Sequence, residues 1–138
     1  VKGTDRIIEA VESLARKLPV ELVLIENMPH SRAMALKATC HVAIDQIADG
    51  DMGYGVNSLE TLSMGIPTVT NLSDAYREFI PRHPFVLAEP DTLEKVLREL
   101  ALDPDLRARH AEAGPEWIAR RHHWLSVARQ LHRLYGEL

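Results

Sequence analysis

The chain has 138 residues, of which 46% are hydrophobic and 26% charged, with a net charge of −4. That balance excludes a disordered segment and fits a single domain, residues 1–138, large enough for a real core. The acidic excess excludes a general nucleic-acid binder, which needs a basic face. A single cysteine, Cys40, rules out an internal disulfide and suits a reducing compartment. No apolar run approaches the ~20 residues of a membrane span and no signal peptide opens the chain, so a cytoplasmic location is expected. Val1, not methionine, comes first, which reads as a domain excised from a longer protein.

In chain order, Thr4 or Asp5 is placed to cap a first helix. Its stripe of Ile7, Ile8, Val11, Leu14, Ala15 and Leu18 lies opposite Arg6, Glu9, Glu12, Arg16 and Lys17, and Pro19 ends it. Residues 20–25 form a short apolar run rich in branched side chains, predicted as a strand covered on both faces. Pro29 suits the first turn of a second helix reaching about Ala38. Residues 41–45 read as another buried strand, followed by a polar, glycine-containing loop from Gln46 to Tyr54.

The central stretch is Gly53-Tyr54-Gly55-Val56-Asn57-Ser58-Leu59-Glu60, continuing to Met64-Gly65-Ile66-Pro67 and a strand at 68–71. Glycines before a helix let backbone N–H groups approach an anion, and the helix N-terminus adds roughly half a positive charge. A carboxylate one turn further on, Glu60, is placed to hold hydroxyls beside that anion. The same residues also fit a capping box, with Asn57 and Glu60 satisfying orphan amides, and Gly65 fits an ordinary helix stop. The local pattern leaves both readings open.

Beyond it, a short helix is predicted at 74–79 and a strand at 85–88. Asp91 with Glu94 forms a second capping-box pattern opening a helix to about Ala101. Asp103-Pro104 starts another, which Gly114-Pro115 breaks. The last helix is predicted to bury Trp117, Ile118, Trp124, Leu125, Ala128, Leu131 and Tyr135. Strands alternating with helices imply a parallel sheet with helices on both faces, whose ligands bind beyond the carboxyl ends of the strands. The Gln46–Tyr54 loop sits at such an end. None of the seven histidines has zinc-like spacing, and Cys40 has no thiolate companion, so no metal site is expected.

Taken together, these residues resemble the carboxyl-terminal, donor-binding domain of a GT-B-fold glycosyltransferase of the "glycosyl transferases group 1" family. Lys2-Gly3-Thr4-Asp5 with the following helix is similar to the family's lysine-glycine start. Asp45-Gln46, the Gly53 to Glu60 stretch and Met64-Gly65-Ile66-Pro67 are similar to its donor loop and helix. Arg121-His122-His123-Trp124 through Leu134-Tyr135 is similar to its closing helix. The resemblance covers nearly the whole chain.

It implies an α/β, Rossmann-like parallel sheet with a helical C-terminal extension and a first strand lying upstream of Val1. It implies a nucleotide-sugar substrate and no tightly bound cofactor. Lys2 and the backbone of Gly53, Tyr54, Gly55, Val56 and Asn57 would hold the diphosphate, and Glu60 the ribose hydroxyls. The partner would be an amino-terminal acceptor-binding domain of the same protein, and the full enzyme could sit peripherally at a membrane. Retention of configuration is implied by the resemblance alone. Met52, with Asp51 beside it, stands where the family often has a second glutamate, so no catalytic residue is identified. Two alternatives are a GT-B nucleotide-sugar epimerase and a non-enzymatic α/β interaction module. Neither finds its own acids here.

Overall fold

A computed structural model describes residues 3–50 and 53–137. Lys2, Asp51 and Met52 therefore lie outside the described residues. The elements run α1 (Thr4–Ala15), α2 (His30–Lys37), β1 (Ala43–Ile44), α3 (Val56–Ser63), β2 (Thr68–Thr70), α4 (Asp74–Phe79), β3 (Val86–Leu87), α5 (Leu93–Leu102), α6 (Pro104–Arg121) and α7 (Trp124–Gly136).

The three strands form a parallel sheet in the order β1-β2-β3. Ala43 and Ile44 pair with Thr68 and Val69, and Val69 and Thr70 pair with Val86 and Leu87. Helices cover both faces, as the alternation of elements requires for parallel strands. On one face Ile7, Val11 and Leu14 of α1 meet Leu93, Leu97 and Leu100 of α5 around Val69 and Ala88. On the other, Leu62 of α3 packs with Leu72, Ile80 and Phe85, under Trp117 and Ile118 of α6. The chain is thus an α/β, Rossmann-like domain with a helical C-terminal stretch.

Several local signals act as read. Asp103 caps α6, its Oδ1 accepting from the Leu106 amide at 2.8 Å. Gly65, at φ +70°, closes α3: its own N–H donates to the Leu62 carbonyl, and the Ile66 N–H donates to that of Thr61. This paired bonding needs a left-handed residue, which glycine adopts without steric cost.

Five local expectations fail. Neither Thr4 nor Asp5 caps α1; Gly3 does, at φ +75° and without a side-chain bond. The Asp91–Glu94 capping box does not form, because Glu94 accepts instead from Lys17 at 2.8 Å and Thr92 is the cap residue.

Residues 20–25 are not a strand. A strand exists through its ladder, and among the described residues no backbone hydrogen bond joins 21–25 to another segment. A cavity of about 1000 Å3 is lined both by Leu22 and Leu24 of this run and by Val42 and Ile44 at β1.

Gly114-Pro115 does not break a helix; α6 runs through both. Proline removes one helical hydrogen bond, here to the Ala111 carbonyl. Tertiary contact holds the helix across it: a Cβ on Gly114 would lie 2.6 Å from the Leu62 carbonyl, so α6 lies directly on the backbone of α3.

The last helix does not bury its apolar stripe. Trp117 and Ile118 belong to α6 and are half-buried, whereas Trp124 (70%), Leu131 (48%) and Tyr135 (73%) of α7 are exposed, with Leu125 and Ala128 also exposed. The stripe has helical spacing, but among the described residues α7 packs against α6 and no layer covers its other side.

Candidate functional site at the carboxyl edge of the sheet

Asp45 directly follows β1 and, among the described residues, is the one charged side chain that is buried. A buried carboxylate must be hydrogen-bonded, and two of its partners come from α3. Ser58 donates to Oδ2 at 2.5 Å and Asn57 Nδ2 donates to Oδ1 at 3.1 Å. This clasp joins the first turn of α3 to the end of β1. The preceding loop is held from both sides. Gln46 Nε2 donates to the Gly53 carbonyl, and Asn71 Nδ2 donates to that of Ala48 at 3.0 Å.

The capping-box reading of α3 does not hold. Gly55 is the cap residue and no side chain caps it. Asn57 lies inside the first turn with its amide turned to Asp45, and Glu60 points elsewhere. The first-turn amides therefore keep no side-chain acceptor among the described residues, at the end of the helix that favours anions.

Gly55 is extended, and among the described residues a Cβ there would meet only Asp45 Oδ2, at 3.9 Å. Gly53 differs: a Cβ there would sit 2.5 Å from the ring of Tyr76. Its lack of a side chain serves packing.

Tyr54 turns its ring inward, against Phe85, Trp117, His122 and Tyr76 at centroid separations of 5.3–6.2 Å. Its hydroxyl lies 3.3 Å from His122 Nε2. Tyr54 thus anchors the loop to α6. Burial, with the charge of Arg121, holds His122 below the usual histidine range. Val56 is exposed, its side chain standing beside the helix tip.

Glu60 follows one turn along α3. Lys37, at the end of α2, donates to its Oε2 at 2.5 Å, and His30 Nδ1 stands 3.8 Å from Oε1. The Glu60 side chain keeps 19% of its surface accessible, so it is recessed and not sealed in the core. The structure therefore brings Gly53, Tyr54, Gly55, Val56, Asn57 and Glu60 to one edge of the sheet. It adds Asp45 as the clasp, and Lys37 and His30 as neighbours of Glu60. Asp45 was legible only as part of a motif. Lys37 and His30 carried no sequence signal, since their approach to Glu60 depends on how α2 packs beside α3.

An α/β layered domain with an uncapped helix tip and a recessed carboxylate at the carboxyl edge of its strands is the class defined by fold and site. The family can be named: a model described as glycosyl transferase-like matches residues 21–133, and the chain belongs to that family. A glycosyltransferase-type function follows from this membership. No curated protein matches the chain. Among the described residues no helix is long and apolar enough to cross a membrane.

Proposed function

We propose that the chain is the donor-binding domain of a GT-B-type glycosyltransferase that moves a glycosyl group from a nucleotide-sugar to an acceptor, with retention of configuration. The observation that carries this reading is the placement of Glu60 one turn beyond the uncapped tip of α3. First-turn amides bind the diphosphate, where the helix dipole and free N–H groups favour negative charge. Glu60 accepts from the ribose hydroxyls next to it. The side chains of Asp45 and Tyr54 hold the loop and helix in register, and the Tyr54 backbone joins the diphosphate site. Lys2 adds a cation to the diphosphate.

Glycosyl transfer requires a preorganised environment for the departing diphosphate and an aligned acceptor. This domain supplies the first in part. An amino-terminal domain supplies the acceptor site, so the chain alone binds donor weakly and transfers nothing. Titration with uridine and guanosine diphosphates, followed by amide NMR, tests the reading. Shifts centred on 53–60, weakened by Glu60→Ala, are the expected result. Shifts confined to other regions, or none at millimolar ligand, would refute it.

A further inference from the structure

The ion pair behind Glu60 has more to it than a surface contact. Lys37 Nζ and Glu60 Oε2 are 2.5 Å apart, and the two side chains retain only 12% and 19% of their accessible surface. Exposed ion pairs are screened and mobile and fix little. A recessed ammonium and carboxylate are costly to separate, so each holds the other in place.

The two carboxylate oxygens then differ. Oε2 is occupied by the ammonium. Oε1 faces His30, whose side chain is 72% exposed, with 3.8 Å between them. At that distance His30 makes no hydrogen bond, so among the described residues Oε1 accepts none and is the oxygen left for a ligand. A carboxylate offers about four lone-pair sites, and one ammonium leaves most of them available for a diol. A glutamate free to rotate would lose side-chain entropy on binding; one already clamped by Lys37 loses less.

Resting on the donor-binding reading above, we propose that Lys37 is a positioning residue for diol recognition. It clamps Oε2 so that Oε1 is aimed at the vicinal hydroxyls of a ribose, and the site selects ribonucleotides over nucleotides lacking those hydroxyls. Lys37 acts through Glu60 and does not touch the ligand.

The test compares three probes on the wild-type chain, Lys37→Met and Lys37→Arg, by amide NMR titration. The probes are uridine and guanosine diphosphates, their 2′,3′-dideoxy counterparts, and inorganic pyrophosphate. The expected result is a wild-type preference for the ribose forms. Lys37→Met lowers ribonucleotide affinity about tenfold, the scale of one charge-assisted hydrogen bond. It leaves dideoxynucleotide and pyrophosphate binding unchanged, and Lys37→Arg retains most of the preference. In Glu60→Gln, adding Lys37→Met brings no further loss, because the group being positioned is gone.

If Lys37→Met keeps the full ribose preference, or weakens all three probes alike, Lys37 only joins α2 to α3. The proposal then falls and the donor-binding reading stands. A wild-type chain that binds pyrophosphate with no preference for ribose overturns both. Should Lys37→Met lose its dispersed spectrum, Lys37→Gln, which keeps a donor and removes the charge, takes its place under the same criteria.

Discussion

Ser58 places its hydroxyl 2.5 Å from Asp45 Oδ2, joining the first turn of α3 to the end of β1 in a fully buried contact. This bond sets the direction in which the helix tip points. Ser58→Ala removes a hydrogen bond to a buried carboxylate, a loss of about 1.5–3 kcal/mol. Urea unfolding should show a lower midpoint with an unchanged slope. Nucleoside diphosphate affinity should fall as well, because the amides of α3 lose their anchor.

Gly55 separates stability from binding. Its backbone is extended, and a Cβ there would touch nothing closer than 3.9 Å among the described residues. Gly55→Ala should cost no more than about 1 kcal/mol, because it meets no clash but alanine caps a helix less well than glycine. Gly55→Val should also fold but bind nucleoside diphosphate more weakly, because its methyl groups fill the space before the amides. Thermal melts and the NMR titration read the two effects independently. Equal diphosphate affinity in Gly55→Val and wild type would place the anion elsewhere.

Gly114 is a matter of space alone. A Cβ there would lie 2.6 Å from the Leu62 carbonyl and 3.3 Å from Leu62 Cα, both backbone atoms that cannot swing aside. Gly114→Ala gains helix propensity of about 1 kcal/mol. It should still destabilise, because forcing α6 off α3 costs about 1–3 kcal/mol, and more for larger side chains. Gly114→Val should therefore melt well below Gly114→Ala.

Stability should fall as the pH drops below about 6.5, the ordinary histidine value. His122 is held below its ordinary pKa, first by burial and then by Arg121, and His83 likewise by burial and Arg77. The unfolded chain binds protons at these sites before the folded chain does. Their contribution is therefore whole above the unfolded value near 6.5 and is lost as pH falls through the folded values. His122→Gln should flatten this part of the melting profile.

What the sequence could establish by itself was local. The alternation of apolar runs with amphipathic stripes, the left-handed stop at Gly65 and the cap at Asp103 each depend on neighbours a few positions away, so parallel α/β layering and the place of the loop at a sheet edge were legible. The tertiary structure decided whatever depends on distant partners. Among the described residues, 20–25 have strand composition but no ladder, Pro115 sits within a helix held against α3, and α7 has a stripe that no other layer covers. At the site, Tyr54 proved to be an anchor and Asn57 a clasp, while Lys37 came to Glu60 across 23 positions of chain. Hydrophobic period and turn chemistry act over single turns, whereas ladders, close backbone contacts and recessed ion pairs exist only once separate elements meet.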